Sequence, residues 1–123
     1  MTREPIVRRQ AGYPAGRSQA SAYRDLIWAV ATADADTGDI RQQAEEALAQ
    51  LDVNLAALGS HKSRLVSVQV FLADITDKPA FDAVWGPWIG SDPGCWPQRA
   101  CVGVQLGGAW RVEITAVAVC DAA

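Results

Sequence analysis

Histidine is almost absent from this chain and cysteine is scarce: 123 residues hold one histidine, His61, and three cysteines, Cys95, Cys101 and Cys120. An odd number of cysteines without C-x-x-C spacing argues against a disulfide framework, and a lone histidine beside them argues against a zinc site. Such cysteine usage fits the cytoplasm. Long apolar runs are missing as well. No segment approaches the ~18 consecutive apolar residues of a membrane span, and residues 1–16 contain no apolar signal core. Positive charge is in deficit, with 11 Lys and Arg against 14 Asp and Glu and a net charge of −3. That balance provides no broad positive field to neutralise phosphates, so neither nucleic acid nor membrane is an expected partner. Arg3, Arg8 and Arg9 cluster at the N-terminus and read as a solvated tail.

What is present is a globular composition, 50% hydrophobic and 20% charged, of a length that suits one domain. Pro5, Gly12, Pro14 and Gly16 mark residues 1–16 as an irregular lead-in, leaving 17–123 as a single domain. Residues 18–23 and 26–32 read as two strands around the polar turn Arg24-Asp25. After a turn at 33–38, Ile40, Ala44, Ala47, Leu48, Leu51, Leu55 and Leu58 recur at helical spacing, with Arg41, Gln42, Glu45, Glu46 and Asp52 falling largely elsewhere. Gly59 ends that helix. Residues 63–73 form a strand, with Val66, Val68, Val70 and Leu72 on one face and mostly apolar residues on the other, so burial on both sides is expected. Asp74 or Asp77 caps a shorter helix through Phe81, Val84, Trp85 and Trp88. Pro93 and Pro97 frame a loop.

Residues 99–106 and 110–119 read as two closing strands joined at Gly107-Gly108. An odd loop groups Ala100, Val102, Val104 and Leu106 with Val112, Ile114, Ala116 and Ala118, leaving Arg99, Cys101, Gln105, Arg111 and Glu113 together on the opposite face. Arg and Glu among apolar neighbours must meet solvent, a ligand or another subunit. The predicted fold class is α+β, a β-β-α-β-α-β-β layer with both helices on one sheet face.

The segments Gly59-Ser60-His61-Lys62-Ser63, Val70-Phe71-Leu72-Ala73-Asp74, Trp85-Gly86-Pro87-Trp88, Pro97-Gln98-Arg99-Ala100-Cys101 and Val112-Glu113-Ile114 resemble, in order and spacing, the reactive intermediate deaminase (RidA/YjgF) superfamily. The Lys-Ser and Trp-x-x-Trp variants look most like its YoaB-like branch. The resemblance implies a chorismate-mutase-like layer, a homotrimer whose sheets form a central barrel, and clefts between neighbouring subunits. It implies hydrolysis of reactive enamines and imines, such as small 2-imino acids, to 2-keto acids and ammonia, with no cofactor and no metal. Carried over by position, Arg99 holds the substrate carboxylate, the backbone N–H of Cys101 assists, and Glu113 holds the attacking water. Thr32, Asp82, Trp85 and Trp88 are candidates to line the cleft. Asp82 stands where the family frequently has asparagine, and Val30-Ala31-Thr32-Ala33 replaces the Ser-Gly-Gln of the founding members. The family's N-terminal tyrosine has no aligned equivalent, Tyr13 lying in the Pro/Gly-rich stretch.

These roles agree with the chemistry of the side chains. A guanidinium is a planar, permanently charged fork that takes a carboxylate by two parallel hydrogen bonds. Water attack on a C=N carbon needs a proton acceptor, which a carboxylate supplies. Plainer readings stand beside them: an Arg99–Glu113 ion pair across the hairpin, Cys101 as a small buried hydrophobe, and Trp85 and Trp88 as packing. At the level of function the alternatives are non-catalytic binding or sensing of small carboxylic acids in the same cleft, and a chaperone-like interaction protein.

Overall fold

A computed structural model of the chain describes residues 6–120. The strands are β1 (Val7–Ala11), β2 (Ser18–Tyr23), β3 (Leu26–Ala31), β4 (Leu65–Leu72), β5 (Gln98–Gly103) and β6 (Val112–Val119), and the helices are α1 (Ile40–Ala57) and α2 (Lys78–Ile89). They form an α+β layer built on one sheet, in the order β1-β2-β3-β6-β4-β5. Alternation decides what faces the helices. Along β6, Val112, Ile114, Ala116 and Ala118 are buried while Glu113, Thr115 and Val117 are half-buried, the period of two that a pleated strand imposes.

Helix α1 begins where the Asp39 carboxylate accepts the Gln42 N–H at 2.9 Å, a side-chain cap on an orphan helix donor. It ends before Gly59, whose φ of 87° suits a residue without a Cβ. Its buried stripe is Ala44, Ala47, Leu48, Leu51 and Leu55, joined by two polar residues, Gln43 and Asn54. Burial of these amides is tolerated because each is bonded. Asn54 donates to the Val30 carbonyl at 2.8 Å. Gln43 donates to the Ala109 carbonyl at 3.2 Å and accepts from the Arg111 N–H at 2.8 Å. Before α2, Asp74 caps a short 3-10 turn over Ile75–Asp77 by accepting from Thr76, and Asp77 makes no side-chain cap bond.

The structure corrects three expectations. Residues 7–11 are not part of a lead-in: β1 pairs antiparallel with β2, Val7 opposite Tyr23 and Arg9 opposite Ser21. Arg8 belongs to no solvated tail, since its guanidinium donates to the Leu58 carbonyl and the Cys120 sulfur, both at 3.3 Å. The Pro/Gly signals of the described region serve the β1–β2 connection, where a Cβ at Gly12 would lie 2.8 Å from the Arg17 carbonyl oxygen.

Second, Val66 is exposed rather than aligned with Val68. A register irregularity between Leu65 and Ser67 turns Leu65 inward in its place, the shift a bulge produces.

Third, β5 and β6 form no hairpin. β5 runs parallel to β4 as the sheet edge, and β6 lies between β3 and β4, antiparallel to both. Residues 104–111 therefore cross the end of β4, held by Val104 N–H to the Leu72 carbonyl at 2.9 Å and Ala73 N–H to the Arg111 carbonyl at 3.0 Å. The physical reason lies in the two strands' apolar content. β6 carries apolar residues on both faces and takes a central place, whereas β5 with its exposed positions takes an edge.

Candidate functional site

Strand pairing fixes where the expected site residues point, because paired residues share a sheet face. On β5, Arg99 pairs with Val68 and Cys101 with Val70, both on the buried helix side. On β6, Glu113 pairs with Phe71, on the side no helix covers. Arg99 and Glu113 thus lie on opposite faces with β4 between their strands, against the expectation that Arg99, Cys101 and Glu113 share a face. The cause is the parallel β4–β5 pairing. No Arg99–Glu113 pair spans a hairpin.

Arg99 meets α2 instead. Its Nη2 donates to Asp82 Oδ1 at 2.7 Å, and Asp82 Oδ2 accepts from Lys78 at 2.9 Å. The guanidinium carbon stands 5.0 Å from the Trp85 ring centroid and 5.7 Å from that of Phe81, distances at which a cation is attracted to a ring face. Burial pushes the Asp82 carboxyl up, but the hydrogen bonds from Lys78 and Arg99 outweigh it and hold the group below its ordinary range. Burial raises the Cys101 thiol, with Arg99 and Lys78 pulling part way back, so the sulfur is a poor nucleophile. In a parallel ladder alternate residues bond the neighbouring strand. With Val104 bonded to Leu72, that alternation turns the Cys101 N–H toward the open edge of the sheet.

Next to Arg99 is a cavity of about 320 Å³ bounded by Trp85, Ile89, Trp96 and Pro97. Trp88 does not border it. Its indole N–H donates to Asp52 of α1 at 3.0 Å, its ring packs tilted against Trp85 with centroids 5.4 Å apart, and Lys62 sits 5.1 Å from it, so Trp88 ties α2 to α1. Trp96, and Phe81 beyond its place on the second helix, were not singled out from sequence; the proline-framed loop around Trp96 was the available signal.

Glu113 lies in a separate cleft of about 420 Å³, with Tyr13, Arg17, Thr32 and Trp110 on its walls. The β1–β2 connection brings Tyr13 there, which alignment by sequence did not settle. Arg17 and Trp110 were not singled out. Among the described residues, no three His, Cys, Asp or Glu side chains gather as metal ligands, and no helix is long and apolar enough to cross a membrane.

An edge arginine backed by aromatic rings on one sheet face and a cleft holding a carboxylate on the other are the two features this α+β layer presents. Comparison with known proteins makes the assignment specific. The family model described as Endoribonuclease L-PSP matches residues 28–120. The chain is 36% identical over 81 residues to the RutC family protein YoaB of Escherichia coli K12, covering 65% of this chain and 69% of that protein. It is 32% identical over 93 residues to a 2-iminobutanoate/2-iminopropanoate deaminase of Dermatophagoides farinae, covering 75% and 70% respectively. The crystal structure of NMB1025, a YjgF family member from Neisseria meningitidis, superposes with a TM-score of 0.85 at 31% identity, covering 96% of this chain and 98% of that one. The chain belongs to the Endoribonuclease L-PSP family, the RidA/YjgF superfamily, and its likeness to YoaB agrees with the branch suggested by Lys62-Ser63 and Trp85-x-x-Trp88.

Proposed function

We propose that the protein hydrolyses small 2-imino acids, and the enamines that tautomerise to them, to 2-keto acids and ammonia in clefts between the subunits of a homotrimer. The observation that carries this reading is the separation of Arg99 and Glu113. A carboxylate clamp and a water-holding carboxylate on opposite faces of one sheet can meet at one substrate only when a second copy supplies the missing half. Leu26, Trp28, Val102 and Val119 are exposed, and an apolar sheet face of that kind calls for cover by other subunits. The relative named as a 2-iminobutanoate/2-iminopropanoate deaminase supports the chemistry.

The balanced reaction is R–C(=NH₂⁺)–COO⁻ + H₂O → R–CO–COO⁻ + NH₄⁺. Arg99 spends one N–H on Asp82 and, having five, has others for the substrate carboxylate, with the edge-facing Cys101 N–H beside it. Glu113 holds the water and takes its proton as the C–O bond forms and the C=N pair moves to nitrogen. The proton then passes to nitrogen, the C–N bond breaks as the hydroxyl lone pair closes the C=O bond, and the hydroxyl proton leaves through Glu113 to the departing ammonia, giving NH₄⁺. Positioning and acid–base help suffice for so reactive a substrate. The free thiols Cys95, Cys101 and Cys120 suit a cytoplasmic setting.

The test generates 2-imino acids in situ with an amino-acid oxidase, traps them with semicarbazide and adds the protein. Suppressed semicarbazone formation is expected; an unchanged trapping rate at micromolar protein sinks the proposal. Non-catalytic binding of 2-keto acids is the second reading, favoured by the hold of Asp82 on Arg99, and it predicts binding with unchanged trapping. Light scattering checks the trimer, and a monodisperse monomer removes the cleft.

A further inference from the structure

The cavity beside Arg99 is apolar apart from that one cation. Trp85 and Trp96 bound it with Ile89 and Pro97, and the remaining lining residues are glycines 86 and 90. Trp96 is 54% exposed, yet its indole N–H is fixed on the Gly90 carbonyl at 2.9 Å. The polar end of the ring is thus spent on the loop, and its apolar face is left to solvent. Trp85 is held between Arg99 at 5.0 Å and Trp88 at 5.4 Å. Two pinned rings, Trp85 against Arg99 and Trp96 across the cavity lining, form a preorganised wall, which lowers the ordering cost of binding a flat or bulky apolar group.

Gly86 adds an independent observation. It lies inside α2, where glycine is the worst choice after proline, and a Cβ there would meet nothing within 4 Å. Packing does not demand the glycine, and the space it leaves belongs to the cavity.

We propose that this cavity is a side-chain subsite that widens the range beyond the small 2-imino acids of the function proposed above, binding 2-imino and 2-keto acids with a large apolar, preferably aromatic, side chain more tightly than those with a methyl group or a second carboxylate. The proposal rests on Arg99 holding the substrate carboxylate, as in the function proposed above. A carboxylate on Arg99 places the adjoining side chain against Trp85 and Trp96. A second carboxylate there would be desolvated without a partner, because the wall offers no further cation.

Calorimetric titration of the full-length wild type with phenylpyruvate, 4-methyl-2-oxopentanoate, pyruvate and 2-oxoglutarate tests it. Phenylpyruvate is expected to bind at least ~10-fold more tightly than pyruvate, from burial of its ring, with 2-oxoglutarate weakest. Gly86→Leu, which suits the helix and fills the cavity, should erase the phenylpyruvate advantage, and Trp96→Ala should reduce it. Equal affinities across the series, or a Gly86→Leu protein that keeps the preference, overturn the subsite while leaving the carboxylate clamp standing. Absence of binding for all four acids overturns both. A Gly86→Leu protein that changes its assembly state instead of its ligand preference also overturns the proposal, because the cavity is then a subunit contact.

Discussion

Asp82 is the residue whose removal reveals most about the site. Its carboxylate sits 2.7 Å from Arg99 Nη2, with side-chain exposures of 17% for Arg99 and 37% for Asp82. A substrate carboxylate on another edge of the same guanidinium would lie about 6 Å from Asp82, where like charges repel by ~0.7 kcal/mol in bulk water and ~2.8 kcal/mol at an effective dielectric of 20. Partial exposure favours the lower half of that range. Asp82→Asn should therefore bind a 2-keto acid such as pyruvate roughly 3- to 20-fold more tightly at neutral pH, one tenfold step corresponding to ~1.4 kcal/mol. The gain should shrink with added salt, which screens exposed charges. Calorimetric titration at low and high ionic strength measures both effects. Because Lys78 and Arg99 hold the Asp82 carboxyl below its ordinary range, it stays ionised from neutrality down to mildly acidic pH. A depressed pKa contributes stability above the unfolded value of ~3.9 and loses it as pH falls through the folded value, so this contribution should fade only below about pH 4. Equal or weaker pyruvate binding by Asp82→Asn would refute the reasoning and show that Asp82 orients Arg99 instead of competing for it.

Arg99→Ala should abolish pyruvate binding, since truncating a shielded charge-pair partner costs ~2–5 kcal/mol, and Arg99→Lys should recover little of it for want of a planar fork; calorimetry beside thermal melts distinguishes lost binding from lost fold. Glu113→Gln should retain the fold and ligand affinity yet lower turnover ~10²–10⁴-fold in the semicarbazide assay, and a folded variant with unchanged turnover would leave Glu113 a wall residue only. Gln43→Ala strips the Ala109 carbonyl and the Arg111 N–H of their partner; a loss of ~1–3 kcal/mol is expected in urea unfolding, and a midpoint within error of wild type would contradict it.

Much of this architecture follows from periodicity. The stripe from Ala44 to Leu55, the Arg24-Asp25 turn and the alternation along residues 112–119 each obey a local rule, and each stands as read. The misses arose where a local rule met a non-local competitor. Residues 7–11, VRRQA, have little apolar patterning of their own, and β1 exists because the free edge of β2 offers backbone partners. Gly107-Gly108 is a sound hairpin signal, but a hairpin would place β6 beside β5 and deny β4 its antiparallel neighbour. The apolar pairs of β6 with both β3 and β4 prevail over the local turn. That single topological choice decides the site. With β4 inserted, each residue of β5 takes its face from β4, so Arg99 turns with Val68 toward α2 and meets Asp82 while Glu113 turns away with Phe71. The motif positions were legible because side-chain chemistry is local. Their division between two faces was not, because it depends on which strand lies between them.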